Sequence, residues 1–372
     1  MDYGFSEDQE MLRKSFQDFF RKENPVSLVR EIEEEQTHYS RGLYQKMAQL
    51  GWMGLMIPEE YGGSDGNWVD MAIFYEEAGK SLLQSPHYSS VVLGGQIILA
   101  MGTEEQKKTL LPKIASGELT LALAIIEGDS GSSLSLMKTS VANRGNDFEI
   151  SGTKLFVSYA HTADLIITVT NTGKGITLFL VDRESPGLSC IPMYTMTGER
   201  KNEVIFDKVI VPGERILGGL DKGGIISEII EKAKIMTCAD MVGGAEVALQ
   251  MSVDYSRERF QFGQPIGSYQ ALQHKMGRMS LAITGARWLT YYTAWLNSQG
   301  LPSAAEMAMA MAQLHVGEAC RFVTAEATQI HGAMGVFQEH DLTLYFRRVK
   351  AAELNLGYPH AFQEIIAQSL GL

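Results

Sequence analysis

Hydrophobic positions along this chain change their period twice. Up to about residue 116 they recur at helical spacing. Leu12, Phe16, Phe19 and Phe20 return to one side of a helix for which Ser6 and Gln9 form a capping-box start. Pro58 and Gly62-Gly63 punctuate a loop, and helical character resumes over 69–83. Thr103-Glu-Glu-Gln106 predicts another helix start, with Leu110, Leu111 and Ile114 on its buried side. Between about 117 and 215 short β-rich runs replace this pattern, at 121–126, 148–151, 165–169, 176–181 and 203–211. Gly, Asn and Asp separate the runs, which predicts antiparallel strands joined by turns. Beyond Gly223-Gly224, Met, Ala and Leu return at helical spacing and predict helices over 225–258, 268–297, 303–332 and 340–370. The expected fold is α+β and mostly α. An N-terminal helical domain (1–116) precedes a central antiparallel β domain (117–222) and a C-terminal four-helix bundle (223–372).

Composition narrows the function classes. The chain of 372 residues is 45% hydrophobic and 20% charged, ordinary for a soluble globular protein with room for two or three packed domains. A net charge of -12 argues against a nucleic-acid partner, yet it leaves room for a local basic pocket that takes an anionic ligand. Cys190, Cys238 and Cys320 are few, odd in number and widely spaced, which suits a reducing compartment. The histidines show no HExxH-like spacing, so no metal site is expected. The acidic N-terminus lacks the features of a signal peptide, and no apolar run approaches the roughly 20 residues of a membrane span. A cytoplasmic location is the expectation.

Chemistry concentrates in Tyr255-Ser-Arg-Glu-Arg-Phe-Gln-Phe-Gly-Gln-Pro-Ile-Gly-Ser-Tyr-Gln270, which leads from one helical run through a Gly-Pro turn into the next. Arg257 and Arg259 place planar cations beside the turn, suited to a phosphate or pyrophosphate, although such a pair can also be a solvated face. Phe260 and Phe262 could cover a ring system, and Gln270 offers an amide on the following helix. Upstream, Phe156 and Ser158 sit two residues apart, so an aromatic face and a hydroxyl share one side of an extended chain. By contrast, Asn171-Thr-Gly-Lys-Gly-Ile-Thr177 lacks the spacing of a phosphate loop and reads as a hairpin turn between strands.

The order of the 255–270 residues resembles the flavin-binding signature of the acyl-CoA dehydrogenase family. Ile57-Pro-Glu-Glu-Tyr-Gly-Gly63, Gly152-Thr-Lys-Leu-Phe-Val-Ser158 and Gln329-Ile-His-Gly-Ala-Met-Gly335 resemble further family segments in the expected order, so the similarity spans nearly the whole chain. It implies an FAD cofactor, an acyl-CoA substrate, an acceptor such as an electron-transferring flavoprotein, and a homo- or hetero-oligomer, dimer or tetramer. It also implies roles. Arg259, Phe262 and Gln270 would contact FAD, and Phe156 (usually Trp in the family) and Ser158 would meet the flavin ring. Gln329, His331 and Gly332 would approach the adenosine half from a neighbouring subunit. Glu127-Gly-Asp-Ser-Gly-Ser132 resembles the turn lining the flavin and the pantetheine arm, with Glu127 toward the cofactor and Ser132 toward the thioester. Ile126 replaces the usual Thr or Ser, and Ala333 replaces a Gly.

One feature of the family is absent. Abstraction of an α-proton from an acyl thioester calls for a carboxylate, and the two positions where the family carries it correspond here to Leu356 and Ala233. Glu353 and Glu231 lie nearby in sequence, but at about 100° of helical rotation per residue neither is automatically aimed at the same place. The catalytic residue is therefore unassigned. Two functions stay open: an FAD-dependent oxidoreductase of a CoA thioester (α,β-dehydrogenation or a related elimination), or a non-catalytic FAD-binding partner subunit of a hetero-oligomeric enzyme.

Overall fold

The computed structural model describes residues 4–35, 38–128, 133–173 and 175–372. Helices α1 (Glu7–Glu23), α2 (Val26–Glu34), α3 (Arg41–Gln49), α4 (Trp68–Lys80), α5 (Gln96–Met101) and α6 (Glu104–Ala115) precede the main sheet. Helices α7 (Ile226–Glu258), α8 (Gln270–Ser298), α9 (Pro302–His331), α10 (Leu342–Leu356) and α11 (Pro359–Ser369) follow it. Two compact units result, each drawn from separate stretches of chain. One comprises the chain up to Arg30 with Asn67–Leu83 and Glu231–Leu372; the other comprises Glu31–Gly66 and Gln84–Ile230.

The helical unit starts as its sequence indicates. Ser6 Oγ accepts from Gln9 N while Gln9 Oε1 accepts from Ser6 N, both at 3.2 Å, which satisfies two donors at the free end of α1. Phe16 and Phe20 are then buried edge-on against Phe74 of α4, at centroid separations of 5.2 and 5.6 Å. The core of α7–α10 is aliphatic and sulfur-rich, with Met241, Val242, Met279, Ile283, Val316 and Val323 buried together. The run expected at 340–370 is two helices rather than one. Gly357 adopts φ +128°, and Pro359 has no N–H for an intrahelical bond, so α10 stops and α11 starts afresh.

In the other unit the strands are β1 (Leu121–Ala124), β2 (Ser140–Arg144), β3 (Asp147–Ser158), β4 (Leu165–Asn171), β5 (Ile176–Asp182), β6 (Leu188–Met193) and β7 (Lys201–Pro212). They form one sheet in the order β1-β4-β2-β3-β7-β6, with β5 paired to β4. Most pairings are antiparallel, as expected, but β1 runs parallel to β4, and β2 meets β4 in parallel through Ser140 and Asn171. The hairpin of β2 and β3 intervenes between β1 and β4 in sequence, and such a crossover permits parallel pairing where a tight turn would not. Asn171 pairs with Ile176 across β4 and β5, so the Gly-Lys-Gly segment does join a hairpin; Lys174 itself lies outside the described residues. Ile150, Val157, Ile166, Phe179, Val204 and Phe206 make the core of this unit.

Candidate active site

At the end of β3 the ladder slips. Lys154 pairs with Val204 and Val157 with Asn202, so β3 carries one residue more than β7 across that step, a β-bulge. Phe156 occupies the bulge with φ 56° and leaves 48% of its surface exposed. A bulky aromatic in left-handed backbone is strained, and it persists only where neighbouring contacts dictate it. Val157 beyond it is buried, and the next side chain, Ser158, donates from Oγ to Glu199 Oε1 at 2.8 Å.

Lys154 is the last paired residue before that bulge. Its side chain is fully buried, and Nζ donates to Glu127 Oε1 at 2.8 Å. Glu127 also accepts from Thr139 Oγ1 at 2.6 Å and from the backbone N–H groups of Lys138 and Thr139 at 2.6 and 3.0 Å. Burial raises the Glu127 pKa, but the hydrogen bonds from Lys154, Thr139 and Lys138 outweigh it and bring it down to about 2. For Lys154 the balance goes the other way, and burial lowers its pKa despite the pull of Glu127. The Glu127 oxygens are thus occupied by protein donors, which leaves its backbone for contact with any ligand. Ser132 lies outside the described residues.

The remaining candidates are in the helical unit. Beyond α7, β8 (Phe260–Gln261) and β9 (Gln264–Pro265) make a two-residue hairpin whose turn residues, Phe262 and Gly263, both have positive φ, 53° and 84°. That is the type I′ requirement, and it leaves Phe262 93% exposed at the tip. Arg259 is tied into the turn by its backbone, N–H to Tyr255 O and C=O from Ile266 N, both at 2.8 Å. Its guanidinium is exposed and has no protein partner among the described residues, whereas Arg257 lies 3.7 Å from Asp254. Gln270 opens α8 and Gln329 lies near the end of α9; both are exposed, and their amides are likewise unpartnered among the described residues.

His331 behaves differently. It is 4% exposed, its Nδ1 pairs with Ala327 O at 2.8 Å, and its ring stacks on Tyr255 at 4.5 Å. Burial, aided by His340, lowers its pKa against the opposing bond from Ala327. The stack joins the last turn of α7, which leads to Arg259, to the last turn of α9, which carries Gln329 and is capped by Gly332 at φ 59°.

Neither base position is polar. Leu356 is 1% exposed and Ala233 is fully buried. The nearby acids are engaged elsewhere. Glu353 binds Arg321 at 2.9 Å and Lys350 at 2.7 Å, and Glu231 binds Lys234 at 2.6 Å and Gln313 at 3.0 Å. Beside Ser158, among the described residues, stands the carboxylate of Glu199. No local motif marks it; only the pairing of Ser158 with Lys201 across β3 and β7 brings it there.

Comparison with known proteins covers the chain from end to end. The model of the acyl-CoA dehydrogenase N-terminal domain matches residues 6–118, that of the middle domain 122–209, and that of the C-terminal domain 222–371. The chain is 33% identical to acryloyl-CoA reductase (NADH) of Anaerotignum propionicum, over 100% of this chain and 96% of that one. It is 30% identical to the caffeyl-CoA reductase-Etf complex subunit CarC of Acetobacterium woodii, over 98% of this chain and 99% of that one. Among solved structures, a glutaryl-coenzyme A dehydrogenase in complex with glutaryl-CoA superimposes with a TM-score of 0.92 at 28% identity, covering 100% and 97% of the two chains.

Proposed function

The chain belongs to the acyl-CoA dehydrogenase family, and from that premise we propose that it is an FAD-dependent oxidoreductase that acts on a CoA thioester by α,β-dehydrogenation or a related elimination. The observation that carries the reading is Phe156, a half-exposed aromatic in left-handed backbone two residues beyond Lys154 of the buried Lys154–Glu127 pair. Such strain is characteristic of ligand sites. The donor set fits the cofactor: an unpaired guanidinium at Arg259 for the pyrophosphate, free amides at Gln270 and Gln329, and exposed rings at Phe156 and Phe262. Glu127 would line the site through its backbone, His331 would hold Gly332 in place for close approach, and Ser132 would face the thioester.

Bound FAD would supply an acceptor for the hydride that leaves the substrate β-carbon. The residues of the chain bind, orient and cover it. Proton removal at the α-carbon has no carboxylate at position 356 or 233, where the side chains are apolar and buried. A second reading, a non-catalytic FAD-binding subunit of a hetero-oligomer, is favoured by that same apolar pair.

Three further assignments accompany this reading. The electron partner is an electron-transferring flavoprotein or similar acceptor, by similarity to a relative that is a subunit of a reductase-Etf complex. The chain works as a homo- or hetero-oligomer, dimer or tetramer, in which Gln329 and Gly332 of one copy complete the site of another; the exposed Phe262 tip suits such a contact. Its three cysteines are free, which fits the cytoplasm. Among the described residues no helix is long and apolar enough to cross a membrane.

Anaerobic titration of the purified yellow protein with a panel of CoA thioesters tests the proposal. Bleaching by one of them supports the oxidoreductase. A flavin that none of them bleaches supports the partner subunit, and a chain that takes up no FAD overturns both readings.

A further inference from the structure

Ser158 has a single proton to donate, and the structure directs it to Glu199. The carboxylate is held there from several sides. Thr195 Oγ1 donates to Glu199 O at 2.8 Å, and Tyr159 N donates to Arg200 O at 3.1 Å. The Arg200 guanidinium bonds His38 Nε2, which leaves Nδ1 of that ring as the donor to Gly198 O at 2.8 Å. The loop carrying Glu199 is thus tied to β3 on one side and to the 38–40 turn on the other. The second Glu199 oxygen lies 3.9 Å from Lys201 Nζ, too far to draw the carboxylate off the serine.

We infer that Glu199 is a positioning residue that fixes the hydrogen-bonding polarity of Ser158. With its proton on Glu199, the hydroxyl presents only lone pairs to a ligand beside Phe156. It accepts from a ring N–H and has nothing to donate to a bare ring nitrogen. A hydroxyl of that polarity favours the reduced, protonated form of a bound flavin ring over the oxidised form. This inference rests on the proposed placement of Phe156 and Ser158 at FAD. It differs from a purely structural role, in which Glu199 only ties its loop to β3.

The two roles separate in a double-mutant cycle read by the two-electron midpoint potential of bound FAD in the full chain. Glu199→Ala releases the Ser158 hydroxyl to donate to the oxidised ring. The ratio of reduced-state to oxidised-state affinity should fall about tenfold, a shift of about 30 mV to more negative potential. In a Ser158→Ala background the same substitution should produce no such drop. Loss of the negative charge alone favours the reduced state, so it moves the potential in the opposite direction and by the same amount in both backgrounds. Equal shifts in the two backgrounds, or none in either, overturn the inference. Where alanine loosens the loop, Glu199→Val provides the same comparison. A wild-type chain that takes up no FAD removes the functional reading and this inference with it, whereas bound FAD with uncoupled shifts removes the inference alone.

Discussion

Lys154 shows how much a single buried residue carries at the end of β3. Its ammonium has no water to turn to, and Glu127 supplies the opposing charge. Lys154→Met removes the cation and leaves a buried carboxylate with neutral donors only, at a cost of about 3–5 kcal/mol, toward the low end because Thr139 and two backbone N–H groups remain. Urea unfolding would show this as a lowered midpoint at unchanged slope; an unaltered midpoint would refute it. The same pair predicts acid sensitivity. Glu127 titrates near 4.5 when unfolded and near 2 when folded, so between those values protons bind the unfolded chain first. The Glu127 contribution is fully present above about 4.5 and is lost as pH falls toward 2. Midpoints measured across that window should decline more steeply in wild type than in Glu127→Gln, and parallel declines would contradict the assignment. Sequence placed Glu127 in a ligand-lining turn. It could not show that the oxygens are taken up by residues 12 and 27 positions away, because that follows from the pairing of strands and not from any local pattern.

Helices were more legible than strands, and the reason is periodicity. The first three helices expected after the sheet fall within a few residues of α7, α8 and α9, since each buries a long stripe whose spacing repeats many times. By contrast, β2 and β6 bury almost nothing and offered no alternation to detect; they exist because β3 and β7 present edges to pair with. The break between α10 and α11 was also missed, as apolar spacing continues across it while backbone hydrogen bonding does not. That break bears on the missing base. Leu356 is the last residue of α10 and is packed in the core with Val316 and Met279. Leu356→Glu would bury a carboxylate without a partner and place it at the negative end of a helix dipole. The expected outcome is a loss of about 3–5 kcal/mol in urea unfolding, with no gain of thioester oxidation. Near-native stability combined with new oxidation of an acyl-CoA would show instead that position 356 faces an open substrate pocket.

At the scale of the molecule, the helical unit is joined by charge across distant stretches of sequence. Glu76 on α4 is almost wholly buried and takes Arg13 of α1 at 3.2 Å, Arg287 of α8 at 3.1 Å and the Tyr291 hydroxyl at 2.8 Å. Lys80 extends the set to Glu246 of α7 at 2.8 Å. Glu76→Gln should cost about 1–3 kcal/mol, since Arg13 and Arg287 lose one partner each but keep Glu77 at 3.0 Å and Glu246 at 2.9 Å. Removing the exposed Arg21–Asp18 pair should cost at most about 1 kcal/mol, and thermal unfolding that ranks the two equally would refute the difference. Cofactor binding adds a second determinant of stability, because a ligand held only by the native chain stabilises it in proportion to its affinity. At 100-fold excess over Kd that contribution is about 2.7 kcal/mol. Arg259 presents the unpaired guanidinium of the proposed FAD site, and a charge-assisted hydrogen bond of this kind is worth about 1.5–3 kcal/mol. Arg259→Ala should therefore weaken FAD about 10- to 150-fold, since each 1.4 kcal/mol is tenfold. As the guanidinium makes no hydrogen bond or ion pair among the described residues, the apo melting temperature should stay at its wild-type value while the FAD-dependent increment shrinks or vanishes. Melting curves of apo and FAD-saturated wild type and variant decide the matter. An increment in Arg259→Ala equal to that of wild type would place the pyrophosphate elsewhere, and a lowered apo melting temperature would mean that Arg259 serves the fold and not the cofactor.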